Sequence, residues 1–492
     1  MADNKAETMG VISVNIKRAS KDLQALEFEA VFPMSSNETD DDWLVQLPCW
    51  RPGRYELGNF AQYVTKMVGV FENGKCVVLE KENHHLWRVP SRIRKIAWSF
   101  HSDIFNAGST FVRDDIQYVN PVNCMLYEVG AESTGYEICL CDIPLDWKLA
   151  TALPYSIDSG NYVMKAENMQ HIMDSPWMTS AELWHVDYKC LDERDAEIEF
   201  HIWSYGCDPP QAEKFVEDHI AFSKEQISYF KSFPAPFYHF LYLLPKNIEV
   251  RHGVEHEDST VIALGPSDVV NTQYGYDELI SIASHELYHA WNVKRIRPTE
   301  WTPYDFTKAC PSKIGYIAEG VTTYMGDLFL FEAGCIDLSN WLRKMELLLK
   351  RHLNNPGRLN MSVADSSFDT WLDGYRPGVP GRKSSIYVEG AVLAFLCDCR
   401  IIELTSHESS LSTAMTLLWD RYGKSRTGIT SNIYWDTLAE VAGTRLDDLR
   451  NKFANGTEDS LPYLIEAMAV KGLKLETSVD DTGVVTPVIS TI

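Results

Sequence analysis

The stretch SHELYHAWNVKRIRP, residues 284–298, carries His-Glu-x-x-His followed by three cations and a proline. In an α-helix, residues four apart lie on one face, so His285 and His289 can aim both imidazoles at one metal ion. Glu286 sits one step round the helix, placed to reach a water rather than the ion. Apolar residues recur at helical spacing through DELISIASHELYHAWNV, which predicts a helix over about 274–294, with Pro298 as its stop. At this His and Glu content about 0.03 chance matches are expected per chain, so five residues alone do not make a site.

A catalytic zinc takes three protein ligands and keeps one position open. Downstream, YIAEGVTTYMGDLFLFE supplies Glu319, thirty residues after His289, at the start of an apolar helix long enough to pack against the first. Alone, such a glutamate reads better as a solvated helix-start residue favoured by the dipole. Beside His-Glu-x-x-His, the ligand reading prevails. Two imidazoles and a carboxylate suit zinc.

The rest of the chain sets the frame. At 492 residues two or three domains are expected, and 45 Lys+Arg against 69 Asp+Glu give a net charge of −24. That balance argues against nucleic acid or an anionic membrane as the main partner. MADNKAETMG has no apolar signal core, and no run approaches the ~18 apolar residues of a membrane span. Eleven scattered cysteines without C-x-x-C suggest reduced thiols, so a cytoplasmic setting is expected. If the chain binds metal, thiols are not the obvious ligands.

Up to about residue 206 the punctuation is that of short strands, with Asn73-Gly74 as a hairpin turn in GVFENGKCVVLE. This predicts an N-terminal antiparallel β-sandwich over 1–206, with AEIEFHIWSY as one of its strands. Pro209 and Pro210 open a region of helical spacing with a small strand-rich patch, extending to 475. RHLNNPGRLNM and LDGYRPGVPGRK are its clear loops.

HELYHAWNVKRIRP, the later AEGVTTY and the spacing between them resemble the glycyl aminopeptidase family of zinc metallopeptidases, whose wider group includes aminopeptidase N and thermolysin. LPCWRPGRYELGNFAQYV is similar to the family's Pro-x-Trp-x-Pro-Gly-x-Tyr segment, and the likeness spans most of residues 10–475. The resemblance implies a thermolysin-like catalytic domain over 207–475, mainly helical with a small sheet. It implies one zinc ion on His285, His289 and Glu319, with Glu286 as general base. RHGVEHEDSTVIAL resembles the Gly-x-x-Glu stretch of the aminopeptidase N group. That makes Glu255 the residue that grips the substrate's free amine and Gly253 the point where backbone approaches substrate. An exposed acidic turn is the plainer reading of the same residues.

In the wider group a Tyr in a Tyr-x-Lys-Gly stretch donates to the oxyanion. SSIYVEGAVLAFL puts Tyr387 there with Gly390 matching, while Glu389 replaces the usual Lys. Trp50, Pro52, Gly53 and Tyr55 read as a turn and a domain contact, and His256 as local hydrogen bonding. Lys294, Arg295 and Arg297 read as a solvated helix end or a substrate clamp. Many family members continue into a PDZ domain; here only the tail 476–492 remains, too short for one.

The expectation is a multidomain α+β zinc aminopeptidase acting on peptides with a free N-terminus, small first residues such as Gly or Ala preferred. The rivals are a thermolysin-like endopeptidase and an inactive zinc-stabilised peptide-binding scaffold. The sequence leaves the oligomeric state open.

Overall fold

In ISVNIKR, Ile12, Val14 and Ile16 point inward while the residues between them face water, the period-2 pattern of a half-buried strand. This strand, Ile12–Arg18, lies in an eight-stranded sheet whose members run from Tyr155–Asp158 at one edge to Cys76–Val78 at the other. The computed structural model describes residues 10–19, 24–34, 41–375 and 378–492. All but Gly10 of MADNKAETMG therefore lies outside the described residues, as do Arg376 and Pro377 of the loop LDGYRPGVPGRK. Two four-stranded sheets complete the N-terminal β unit.

One pairing departs from the antiparallel expectation. Ile12–Arg18 runs parallel to Tyr136–Leu140, matching Val14 with Ile138, while its other neighbour, Ala25–Val31, is antiparallel. A parallel pair needs a long crossover, and the intervening residues, which build most of the other strands, supply it. The hairpin at Asn73-Gly74 forms as read, with Gly74 at φ +80° and Val70 opposite Cys76.

The second sheet crosses the expected boundary at 206. Its five strands are ordered Trp184–Leu191, Glu197–Tyr205, Phe237–Leu243, Ser259–Gly265 and Val250–Glu255. Glu197–Tyr205, read from its alternation as part of the first domain, pairs in parallel with Phe237–Leu243. Alternation identifies a strand but not its partner. Val250–Glu255 forms the free edge of this sheet, and helices follow it for most of the remaining chain. The tail is also structured: Val485–Thr491 pairs with Leu473–Val479, and the Ile489 N–H donates to Glu346 on the helix Leu338–Leu353 at 2.8 Å.

Buried aromatic surface joins the two units. Trp50 donates from its indole to the Asp305 carbonyl at 2.7 Å and packs edge-on against Tyr304 and Trp371. Tyr55 stacks on Trp301 with ring centroids 4.8 Å apart. Each such side chain contributes roughly 1.5–3 kcal/mol through burial. Among the described residues no helix is long and apolar enough to cross a membrane.

Candidate metal centre and active site

The histidine helix spans Gln273–Tyr288, opened by the Thr272 hydroxyl, which accepts from the Gly275 N–H. It stops about six residues earlier than its periodicity predicts. His289 caps it, and the chain continues in tight turns to Ile296. The cause is Asn292, whose carbonyl accepts from His289 Nδ1 at 2.6 Å. The Asn292 side chain donates to the carbonyls of Ile317 and Ala318 and to the Thr322 hydroxyl. Asn292 thus fixes the tautomer that leaves Nε2 of His289 free for a ligand role, and it ties the histidine segment to the segment bearing Glu319.

Glu319 lies in a widened turn, Ile317–Val321, that leads into the helix Thr322–Glu332. That helix approaches closely because Gly326 has no side chain; a Cβ there would stand 3.0 Å from the His285 Cα. Gly320 likewise meets Gly390 backbone to backbone, which brings the helix Ile386–Leu404 and Tyr387 to the same place.

His285 Nε2 and His289 Nε2 are 3.0 Å apart, and Glu319 Oε2 lies 3.7 and 3.4 Å from them respectively. Two donors each ~2.1 Å from a tetrahedral ion stand about 3.4 Å apart. The three atoms therefore fit one zinc-sized ion with a fourth position open. Burial raises the Glu319 carboxyl, yet the imidazoles of His289 and His285 together hold it at about 2.

The surrounding charge fits as well. Glu255, Glu286 and Glu319 are 3%, 5% and 2% exposed. Oε1 of Glu255 and Oε2 of Glu286 have no hydrogen-bond partner. Three buried carboxyl groups crowd two imidazoles here, and a bound cation would relieve their mutual repulsion. Burial pushes the Glu286 carboxyl well above its ordinary range, opposed by His289 and reinforced by Glu255 and Glu319.

The edge strand presents Gly253 and Glu255 on one face. A Cβ at Gly253 would overlap the Glu286 carboxylate, so this glycine makes room for that side chain. Gly253, Glu255, Glu286, Tyr387 and the three ligand candidates all line one cleft of ≈ 380 Å³. Tyr387, half-buried, faces Tyr375 with ring centroids 6.5 Å apart. A second grouping of ligand atoms, Glu255, Glu286 and His289, overlaps the first through His289.

The N-terminal unit reaches into this site through residues that the sequence reading treated as a domain contact. The Tyr55 hydroxyl donates to Glu319 Oε1 at 2.5 Å, leaving Oε2 facing the imidazoles. Gly53, at φ +73°, lies against the Glu255 carboxylate, where a Cβ would collide. The segment PCWRPGRY was the signal in the sequence; its target 264 residues away was not.

The basic tail is neither a solvated helix end nor a lining of the cleft. Lys294, fully buried, pairs with Asp174 of the N-terminal unit, whose other oxygen meets His256 Nδ1 at 3.0 Å. Burial raises the Asp174 carboxyl, but Lys294 and His256 bring it down to about 2. Arg295 pairs with Glu257 and Asp258 at 2.9 and 3.1 Å. Arg297 lies over the Tyr304 ring at 3.9 Å. These cations pin the turn that follows Glu255.

Comparison with known proteins agrees with this architecture. The sequence model of the M61 glycyl aminopeptidase matches residues 278–393, and that of the peptidase M61 N-terminal domain matches residues 14–181. No curated protein matches the chain. A crystal structure of an aminopeptidase N family protein from Idiomarina loihiensis superposes with TM-score 0.86 at 22% identity, covering 96% of this chain and 81% of that one. An M1 zinc metallopeptidase from Deinococcus radiodurans gives 0.55 at 10% identity over 92% and 94% of the two chains. Aminopeptidase A from Legionella pneumophila gives 0.53 at 11% identity, covering 98% of this chain and 52% of that one. The structural likenesses establish the fold, and the two family matches together cover more than half of the sequence. The chain belongs to the M61 glycyl aminopeptidase family of peptidases.

Proposed function

We propose that the chain is a zinc-dependent aminopeptidase releasing N-terminal residues, small ones such as Gly or Ala, from peptides. One observation carries the choice of exopeptidase: the buried Glu255 carboxylate, with an unpaired oxygen, stands two residues along the edge strand from the point where Glu286 sits. A free α-ammonium supplies the charge and the hydrogen bonds that this oxygen lacks. The family's description as glycyl aminopeptidases supports a small first residue.

His285, His289 and Glu319 would hold one zinc ion, which leaves Glu286 as the base and Glu255 for the substrate's amine. Zinc in such a site acts as a Lewis acid and lowers the pKa of a bound water toward ~7. Glu286 takes the proton of the attacking water and passes it to the leaving amine. Tyr387 donates its phenol hydrogen to the developing oxyanion. Tyr55 holds Glu319 in its ligand orientation from outside. A cytosolic setting, read from the scattered cysteines, belongs to the same proposal.

The test compares free and N-acetylated peptides of varied first residue, with and without chelator. Cleavage of the free forms alone, abolished by chelator and restored by zinc, is expected. Equal cleavage of both forms would establish an endopeptidase. No cleavage by zinc-loaded protein would establish a binding scaffold.

A further inference from the structure

The edge strand Val250–Glu255 acts as a ruler along the cleft. Alternate residues of a strand share a face at steps of ~7 Å, so Glu255, Gly253 and Arg251 stand in a row, and all three line the cleft. The row has a chemical order: a carboxylate, the glycine against which Glu286 packs, then a guanidinium.

The cationic end has a second member. Arg351, from the helix Leu338–Leu353, lines the same cleft. The exposed Arg251 side chain donates to Glu278 at 2.8 Å, whereas the Arg351 side chain, also exposed, donates no hydrogen bond and forms no ion pair among the described residues. Its charge is opposed by Arg251 and favoured by Glu278, which is already engaged by Arg251. Asp327, also in the cleft, is taken by Ser281 and Lys344. The two carboxylates at this end, Glu278 and Asp327, are thus already engaged by other groups. A solvated guanidinium with no protein counter-ion, at the wall of the cleft, suits an anionic group of the substrate.

We propose that Arg351, with Arg251 beside it, receives the C-terminal carboxylate of the substrate, so that the enzyme acts on short peptides with both ends free. This rests on the aminopeptidase reading, because the amine at Glu255 sets the origin of the ruler. Glu255 and Arg251 lie four residue steps apart on the strand, roughly 13 Å. An extended peptide of about three residues, with a hydrogen bond at each end, spans that interval. Longer chains overrun the guanidinium pair and dipeptides fall short of it.

The test measures kcat and KM for a trialanine acid, its C-terminal amide and a hexaalanine, using zinc-loaded wild type and Arg351→Gln. The wild type is expected to show a KM about 10- to 100-fold lower for the acid than for the amide, the range of one charge-assisted contact, with kcat nearly equal. Arg351→Gln should remove that difference by raising KM for the acid. Arg251→Gln, which also releases Glu278, should reduce it in part. Equal kcat/KM for wild-type acid and amide overturns this inference alone, as does a loss in Arg351→Gln that falls equally on both. No cleavage of any form by zinc-loaded enzyme overturns the aminopeptidase reading and the inference together.

Discussion

Within the helical unit two clusters combine histidine with carboxylate. In one, His352 hydrogen-bonds Glu389 through Nδ1 at 2.8 Å and shares a hydrogen bond of 2.6 Å with Ser460 through Nε2. That row has the order of a hydrolytic triad. In the other, His285, His289 and Glu319 turn their ligand atoms toward one another beside Glu286 and Glu255. Space separates them. The cavity beside His352 is ≈ 30 Å³, room for a water or two, whereas the other cluster opens on ≈ 380 Å³. In the His352 row both ring nitrogens are engaged within the protein. At the other cluster, buried oxygens of Glu255 and Glu286 remain unpaired. Glu389 Oε1 is unpaired too, so space makes the difference: an unpaired oxygen beside a water-sized cavity can be met by water, whereas unpaired oxygens at the wall of a wide cleft can meet a larger ligand. The row also accounts for Glu389 where the wider group has Lys. A buried carboxylate there is held by His352, and this anchors the first turn of the helix bearing Tyr387.

The largest expected effect is on catalysis at the open cluster. Glu286→Gln should lower kcat by about 10²- to 10⁴-fold while binding one equivalent of zinc; an active variant removes the base. Next comes the wall behind that cluster. Lys294→Met strands the Asp174 charge among buried groups and should cost about 3–5 kcal/mol, read from urea unfolding at neutral pH. The sign with pH follows from Asp174. Its folded value of about 2 lies below the ordinary ~3.9, so its contribution is present above pH ~4 and is lost as pH falls through 2. The wild type should therefore lose up to about 2–3 kcal/mol more than the variant between pH 4 and 2. An unchanged difference across that range contradicts the ion pair.

A smaller effect is expected across the unit boundary. Tyr55→Phe should weaken zinc binding about 10- to 100-fold in chelator competition, as loss of an outer-shell hydrogen bond does elsewhere. Unaltered affinity would reduce Tyr55 to packing. Smallest of all, Ser460→Ala removes one hydrogen bond worth about 0.5–1.5 kcal/mol and should leave kcat/KM unchanged. A hundredfold loss of activity would erase the contrast between the clusters.

What the sequence could show depended on range. His285, Glu286 and His289 are set by helical periodicity, a property of neighbouring residues, and Glu319 heads the next strongly apolar helix. The end of the histidine helix was not legible, because Asn292 diverts it toward Ile317 and Ala318, which lie beyond any local window. The basic run Lys294, Arg295 and Arg297 suggests a solvated end, while the partners that bury those cations, Asp174 and the 257–258 turn, are distant in sequence. Tyr55 was visible as a residue but not as a neighbour of Glu319. The strand Glu197–Tyr205 carried its own alternation and no mark of the sheet it joins.

The central claim is that one ion sits between His285, His289 and Glu319 and leaves Glu286 and Glu255 to act on the substrate. Anomalous diffraction at the zinc edge from crystals of zinc-loaded protein tests it most directly. A single peak ~2.0–2.2 Å from Nε2 of both histidines and Oε2 of Glu319 is the expected result. A peak coordinated instead by Glu255, Glu286 and His289 would contradict it, because base and amine anchor would then be ligands.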